Sequence, residues 1–311
     1  ESSPVRVGTD SDWIAVTGFN DTFCGLREGG SAWCWGYGWP GVIGDGDGGT
    51  SRNLPTRVIF SDDTNSTGFV SIDAGNQLMC GVTGDGALWC WGWDAAGAIG
   101  ASPTEFTTIT KATRVGGASN WTSVATGYAY ACARTATGAA SCFGSNYWGQ
   151  VGNGTRELVA GGAVLGAVAG DYRWDDIGLG DFHTCGIDGG DLYCWGYNAS
   201  GRVDWANGDE SFSEPKRVAA DASWSDVDNG SSVTCGITNG DVWCWGNNSY
   251  GMLGDADTGL INVARWVIDG AGLPPTSAEV PWLSAALAAV AALLAVAGVA
   301  LRRRSPARRF R

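Results

Sequence analysis

The sequence predicts an all-β fold that consists of five copies of one four-stranded unit, followed by a single C-terminal helix. Three observations support this prediction. One pattern recurs five times between Trp13 and Val267 with a period of about fifty residues, and all ten cysteines occupy the same two positions of it. In this region apolar and polar residues alternate over short segments that are separated by glycine-rich turns, and no window shows sustained helical periodicity.

The first strand of each copy begins at an aromatic residue that precedes a cysteine by eleven positions. The five aromatic residues are Trp13, Phe69, Trp121, Trp174 and Trp224. The cysteines that follow mark the second strands, and they are Cys24, Cys80, Cys132, Cys185 and Cys235.

The third strand carries a second cysteine, nine or ten positions after the first. These cysteines are Cys34, Cys90, Cys142, Cys194 and Cys244. Turn signals such as Gly84-Asp85-Gly86 and Asn239-Gly240 lie between the paired cysteines, so each pair is expected on the two strands of a β-hairpin.

A glycine-rich loop and a short segment ending in valine complete each copy. The loop runs Gly, four residues, Gly, two residues, Gly, except that Asp204 replaces the third glycine once. The repeats span 13–58, 69–115, 121–168, 174–218 and 224–267. Four strands per copy and a period near fifty match a β-propeller blade, with a solenoid as the alternative.

The segment Pro4–Val7 is similar to the closing strand of a sixth copy. Val7 precedes Trp13 by six positions, the interval that also separates Val115 from Trp121. We therefore expect residues 1–267 to form a propeller domain of five complete repeats and an N-terminal remnant strand. Because the sequence has no initiating methionine or signal peptide, we expect a mature product or a piece of a longer chain.

The spaced pattern is similar to that of a known repeat family. The pattern runs in the order Trp/Phe-x-x-Val/Ile, Cys-Gly, a turn, Cys-Trp-Gly-x4-Gly-x-Leu/Ile/Val-Gly and Pro-x-x-Val. Over residues 4–267 it resembles the repeat of the regulator of chromosome condensation family. The resemblance implies a β-propeller, usually of seven blades. Members of that family range from a nuclear exchange factor for a small GTPase to a secreted inhibitor of β-lactamase, so the resemblance does not determine a function.

The cysteine spacing favours disulfides over metal ligands, which usually lie two to four positions apart. Facing strands of a hairpin bring two cysteines within the distance that a disulfide spans. The predicted bonds are Cys24–Cys34, Cys80–Cys90, Cys132–Cys142, Cys185–Cys194 and Cys235–Cys244. Such bonds persist in oxidising compartments, whereas ten reduced thiols in a cytosolic propeller are the alternative.

Residues 280–301 are an uncharged stretch rich in Ala, Leu and Val. A helix of this length extends about 33 Å, enough to cross a hydrocarbon core of about 30 Å. The arginine-rich residues 302–311 then place a basic tail in the cytoplasm and the propeller outside the cell. We predict a linker at 268–279, a transmembrane helix at 280–301 and a cell-surface propeller; a buried core helix is the alternative.

The linker contains a motif, Leu273-Pro274-Pro275-Thr276-Ser277. With the apolar segment and the basic end, it resembles a bacterial C-terminal sorting signal, although Ser277 stands where that signal has glycine. The resemblance implies a surface protein whose tail is cleaved by a sorting enzyme, and a plain C-terminal anchor is the alternative.

Aromatic residues in the glycine loops are the candidate ligand-binding residues. Propeller loops gather on the faces of the ring, where aromatic side chains suit contacts with proteins or sugars. The alternative is that they pack between blades. The candidates are Tyr37, Trp39, Trp93, Tyr147, Trp148, Tyr197 and Tyr250.

No pattern of catalytic or metal-binding residues emerges from the sequence. The single histidine, His183, occupies a strand position at which the other copies carry unrelated residues, so we interpret it as structural. Asp45-Gly46-Asp47 is similar to the start of a calcium loop, but the glutamate that would close such a loop is absent at position 56. We therefore predict no catalytic residue, no metal site and no cofactor.

Charge and architecture together favour a binding function. Outside the arginine-rich tail, 13 basic residues stand against 32 acidic ones, a net charge of −19 that repels nucleic acid. We predict a non-enzymatic, membrane-tethered propeller whose partner is a protein or a surface glycan. A purely structural surface element and an extracellular hydrolase or lyase are the alternatives.

Overall fold

Five antiparallel sheets of four strands form the blades of a β-propeller. The computed structural model describes residues 4–62, 67–97, 99, 107–161, 165–205 and 208–254, and the backbone of 261–266. In each blade the strands pair in chain order, so every sheet is a simple meander. The predicted five-bladed fold is confirmed, with four-stranded blades throughout.

The strand bounds follow the repeats closely. Blade 1 comprises β1 (Trp13–Phe19), β2 (Thr22–Arg27), β3 (Ala32–Gly36) and β4 (Arg52–Arg57). Blade 2 comprises β5 (Phe69–Ala74), β6 (Leu78–Thr83), β7 (Ala87–Asp94) and β8 (Thr107–Ser119). Blade 3 comprises β9 (Trp121–Thr126), β10 (Tyr130–Thr135), β11 (Ala140–Gly144) and β12 (Gly166–Ala167).

The last two blades have the same arrangement. Blade 4 comprises β13 (Trp174–Leu179), β14 (His183–Asp188), β15 (Asp191–Tyr197) and β16 (Ser211–Val218). Blade 5 comprises β17 (Trp224–Asn229), β18 (Val233–Thr238), β19 (Asp241–Gly246) and β20 (Ile261–Trp266). Two single 3₁₀ turns, Ala95–Gly97 and Ala199–Gly201, lie in the loops after β7 and β15.

The five predicted disulfides are present, one in each blade. The two cysteines of every pair lie directly opposite each other on the second and third strands, with Cα atoms 4.0–4.1 Å apart. Each bond therefore closes one hairpin and restricts its register. Nine of the ten cysteines are buried, and Cys235 is partly buried.

The glycine after the first cysteine makes room for the aromatic residue that opens the blade. A Cβ added at Gly186 would lie 2.7 Å from the Trp174 ring, and one at Gly236 would lie 2.8 Å from the Trp224 ring. The aromatic ring lies flat over the second strand because this position has no side chain. The Cys-Gly pair of the repeat thus reflects close packing within one blade.

The hydrophobic core lies between successive blades. Buried side chains of neighbouring blades form four clusters, which join blade 1 to 2, 2 to 3, 3 to 4 and 4 to 5. Hydrogen bonds cross the same interfaces near the axis: Asp73 of blade 2 accepts bonds from Thr17 of blade 1 and from Thr126 of blade 3. Within the described part of the chain, no backbone–backbone hydrogen bond joins blade 5 to blade 1.

One side of blade 1 is open to solvent. Val16 of β1 is 71% exposed, whereas the equivalent residues Val124 and Val227 are 8% and 3% exposed because a preceding blade covers them. The segment Pro4–Val7 also lies exposed and forms no strand within the described residues, so the predicted remnant strand is not formed. The physical reason is that a closing strand needs the third strand of its own blade as a hydrogen-bonding partner.

Candidate functional site

Two sets of loops meet on one face of the propeller. In each blade, the turn after the first strand and the glycine loop after the third strand are joined by a backbone hydrogen bond. Tyr37 N donates to Asp21 O at 2.9 Å, Trp93 N to Gln77 O at 2.7 Å and Tyr197 N to Phe182 O at 2.8 Å. We call this side, formed by the first-strand turns and the glycine loops, the loop face.

The glycine loops of blades 1, 3 and 4 also pack beneath the next blade. The indole N–H groups of Trp91, Trp195 and Trp245 donate at 2.8–3.0 Å to backbone carbonyls in the preceding blade's loop, those of Val42, Gln150 and Arg202. These tryptophans follow the second cysteine in the repeat and are completely buried. The glycine loops are therefore held in place by the neighbouring blade rather than free in solvent.

A buried polar side chain organises the glycine loops of blades 2 to 5 from within. Asn146, Asn198 and Asn248 each accept a hydrogen bond at 3.0 Å from the backbone N–H five residues later, and Asp94 accepts the equivalent bond at 2.7 Å. These residues were missed in the sequence reasoning. Their signal is an Asn or Asp two positions after the glycine that follows the third strand, which recurs in blades 2 to 5.

The seven candidate aromatic residues divide into two groups. Tyr37, Trp39, Tyr147 and Tyr250 are between 49% and 89% exposed. Trp93, Trp148 and Tyr197 are partly buried because they pack against aromatic residues of neighbouring blades. Four members of the set are thus exposed, and the other three pack between blades; ligand contact by the exposed four stays a prediction.

Three of the candidates form one continuous aromatic cluster across blades 3 and 4. The rings of Tyr147 and Trp148 are perpendicular, with centroids 4.9 Å apart, and Trp148 stacks on Tyr197 at 4.1 Å. The guanidinium carbon of Arg202 lies 5.1 Å from the centre of the Tyr197 ring. We call Tyr147, Trp148, Tyr197 and Arg202 the aromatic cluster.

An open depression of about 330 Å³ adjoins this cluster. Its lining residues are Tyr147, Trp148, Arg156 and Glu210. Arg156 and Glu210 are exposed and carry opposite charges, so the depression combines aromatic surface with one hydrogen-bond donor group and one acceptor group. The sequence reasoning identified the two aromatic residues but not the two charged ones, which come from different blades.

A second group of aromatic side chains lies in the turns nearer the axis. Tyr128 contacts Trp93 on one side and Phe182 on the other, with ring centroids 6.1 Å and 5.4 Å apart. Tyr128 and Phe182 were also missed in the sequence reasoning. They occupy the turn between the first two strands, where the other blades carry small or polar residues.

Carboxylates gather where the inner strands of blades 2, 4 and 5 approach one another. Burial raises the pKa of Asp176, and the neighbouring Asp226 carboxyl adds to the effect. Burial also raises the pKa of Asp228, with further contributions from Asp73, Asp176 and Asp226. The described part of the chain holds no group of three or more His, Cys, Asp or Glu side chains placed to bind a metal ion.

The aspartates of the first glycine loop have structural partners. Asp45 pairs with Arg52 at 2.6 Å, and Asp47 accepts hydrogen bonds from Gly49 N, Thr50 N and the Thr50 hydroxyl. These bonds, led by the one from Gly49, lower the pKa of Asp47 to about 2. The calcium-like motif therefore closes a turn, with its oxygens engaged by the protein.

His183 lies completely buried at the contact between blades 4 and 5. Its Nε2 is 2.9 Å from the Thr234 hydroxyl, which donates to Arg202 O, and its backbone carbonyl accepts from the Tyr130 hydroxyl at 2.7 Å. Burial, with a smaller effect of Arg202, lowers the pKa of His183 well below its usual value. A buried, neutral imidazole within a core network has no access to a substrate.

We expect His183 to make stability fall as the pH drops below about 6.5, the usual histidine pKa in an unfolded chain. The unfolded chain then binds a proton that the folded protein excludes, so unfolding becomes easier by up to about 1.4 kcal/mol per pH unit. The variant His183→Leu, which carries the residue found at the equivalent Leu78, should lose this component. Urea unfolding at pH 5 to 8 measures it.

The matched control is Thr234→Val, which removes the hydrogen bond but keeps the imidazole. This variant should lose stability at every pH and retain the slope below pH 6.5. An unchanged slope in His183→Leu would show that groups other than His183 account for the pH dependence.

The predicted C-terminal features lie outside the described residues. They are the linker 268–279, the motif Leu273–Ser277, the segment 280–301 and the tail 302–311. Among the helices of the described residues, none has the length and apolar character needed to cross a bilayer.

Comparison with known proteins agrees with the geometry. The chain is 28% identical over 174 residues to the ultraviolet-B receptor UVR8 of Arabidopsis thaliana, a match that covers 56% of this chain and 38% of the receptor. Among solved structures, human WBSCR16 superposes with a TM-score of 0.69 at 18% identity, covering 82% of this chain and 67% of that one. Yeast RCC1 (Prp20), bound to Kap60, superposes with a TM-score of 0.52 at 14% identity, covering 83% and 75%.

The fold is an RCC1-like β-propeller. The superpositions on human WBSCR16 and yeast RCC1 cover 82% and 83% of this chain, so the propeller architecture is shared with both structures. No family model matches the chain. At these identities the solved structures establish the fold alone, and the chain spans 38% of the length of the curated receptor.

Proposed function

We propose that this chain is a non-enzymatic binding module whose loop face contacts a protein or glycan partner. One observation carries the proposal: exposed aromatic residues are concentrated on this face, at Tyr37, Trp39, Tyr147 and Tyr250. The hairpin turns that join second and third strands contain no aromatic residue in any blade. Exposed aromatic side chains on rigid loops are the usual anchors of binding surfaces.

Rigidity of the loops supports the same proposal. The tryptophans of the next blade, the buried Asn or Asp and the glycine turns hold the loop backbone before any partner arrives. Binding then costs less conformational entropy than it would on free loops. Yeast RCC1, whose structure superposes on this chain, has been crystallised with the protein Kap60, which supports a protein as one class of partner.

The test is an array of purified proteins and glycans probed with the labelled full chain. A loop-face variant, Tyr37→Ala with Trp39→Ala, Tyr147→Ala and Tyr250→Ala, should lose the binding that the wild-type chain shows. The control replaces Leu54 and Val70, which are 63% and 58% exposed on strands, by alanine. Equal binding by both variants, or loss only in the control, would contradict the proposal.

We also propose that the propeller acts at the cell surface, tethered by residues 280–301. The uncharged segment, the arginines behind it and the five disulfides support this location. On expression in a bacterial host, the full chain should stay with the membrane after alkaline carbonate extraction. A chain ending at residue 279 should be released, and membrane retention of that shorter chain would overturn the proposal.

A further inference from the structure

The depression beside the aromatic cluster has the features of a small-ligand site. Trp148 lies on its wall, and its ring is supported from one side by Tyr197 at 4.1 Å with the ring planes 28° apart. Tyr147 stands at 90° to Trp148 and forms a second wall. The two rings thus form a corner whose two walls meet at a right angle.

The corner is preorganised by its own backbone. Trp148 N donates to Gln150 Oε1 at 3.0 Å, and Gly149 N donates to Asn146 O at 2.9 Å. Gln150 is fixed in turn, because its carbonyl accepts bonds from Thr184 at 2.8 Å and Trp195 at 2.9 Å in the next blade. A platform held in this way keeps its shape when it is empty, which favours binding of a rigid ring.

The charged residues of the depression limit the class of ligand. Arg156 and Glu210 carry opposite charges, so together they give the depression no net charge that would favour a cation or an anion. Arg156 and Glu210 form no ion pair with each other among the described residues, so both retain hydrogen-bonding capacity. An uncharged ligand with both hydroxyl donors and acceptors satisfies the two groups at once.

We propose that this depression binds a neutral oligosaccharide. One pyranose ring packs its C–H face on Trp148 and is bordered by Tyr147, while ring hydroxyls accept from Arg156 and donate to Glu210. The volume of about 330 Å³ matches the lower end of small-ligand sites, and its openness lets further sugar units extend into solvent. The inference rests on the proposed function, because it specifies the ligand of one part of the loop face.

The experiment measures binding of the full chain to a panel of neutral oligosaccharides built from glucose, galactose, mannose or N-acetylglucosamine. Isothermal titration calorimetry should detect at least one of them, with an affinity that 0.5 M NaCl leaves unchanged, since no ligand charge is involved. Trp148→Ala should weaken binding at least about tenfold, in line with loss of an aromatic stacking contact. Trp148→Phe, which keeps a flat ring, should weaken it less.

The control is Val70→Ala. Val70 lies on β5, outside the loop face, and is 58% exposed. This variant should bind the oligosaccharide as the wild-type chain does. Melting curves of all variants, followed by circular dichroism, show whether Trp148→Ala is folded, and Trp148→Phe supplies the test if it is not.

Three results would overturn the glycan assignment: no binding to any neutral oligosaccharide, unchanged binding in Trp148→Ala or a preference for charged ligands that salt abolishes. Each is distinguishable from failure of the binding-module proposal. If the loop-face variant loses a protein partner while no neutral oligosaccharide binds the wild-type chain, the binding-module proposal stands and the glycan assignment is wrong. If neither a protein nor an oligosaccharide binds the wild-type chain, both proposals are wrong.

Discussion

Replacing all ten cysteines by alanine is expected to prevent stable folding at 37 °C. Each disulfide closes a hairpin whose cysteines are nine or ten positions apart, and a loop of that size contributes about 2–3 kcal/mol through the restricted unfolded chain. Five such contributions sum to about 10–15 kcal/mol, comparable with the total stability of about 5–15 kcal/mol that a domain usually has. The bonds lie in separate blades, so their effects should add to a first approximation.

The measurement is thermal unfolding followed by circular dichroism, with the double variant Cys185→Ala, Cys194→Ala as an intermediate case. That variant should fold and lose about 2–3 kcal/mol. Mass spectrometry of the native protein, with and without a reductant, should show five bonds and no free thiol. A ten-alanine variant that melts near the wild-type temperature would refute the prediction, and so would ten free thiols in the native protein.

Gly152→Ala is expected to destabilise the propeller by about 2–4 kcal/mol, because it combines overpacking with backbone strain. Gly152 has φ +76°, and a Cβ there would lie 2.5 Å from Trp195 Nε1 and 2.8 Å from Trp195 Cε2. The indole cannot retreat easily, since it is fully buried and bonded to Gln150 O. The melting temperature should fall by roughly 10 °C for a domain of this size.

The control for this prediction is Gly29→Ala. Gly29 has a similar φ of +83°, but no atom lies within 4 Å of its added Cβ, so only backbone strain of about 1 kcal/mol is expected. Chemical denaturation of both variants gives the difference. Equal losses at the two positions would show that the contact between the loop and the next blade contributes little.

The features that the sequence predicted well are local along the chain. Cys185 and Cys194 are joined by one hairpin, and an alternating pattern with a glycine turn already places them on facing strands. The aromatic residue of the first strand and the Cys-Gly pair likewise belong to one blade. A repeat of fifty residues makes such patterns easier to detect, because chance agreement at five spaced copies is rare.

The remnant strand at Pro4–Val7 shows the limit of the same reasoning. Its spacing from Trp13 matches the other copies, yet the segment forms no strand in the described residues. A strand exists only with a hydrogen-bonding partner, and spacing along the chain does not supply one. Pattern matching therefore identified a similar sequence without its structural context.

The sequence by itself determined the five blades, their strands and the cysteine pairs, because these depend on residues within one hairpin or one meander. Only the tertiary structure decided which aromatic residues face solvent and which pack between blades. Trp148 meets Tyr197, and His183 meets Thr234, across interfaces that join residues about fifty positions apart. Such contacts depend on how the side chains of two blades fit together, and no periodic pattern within one blade encodes that fit.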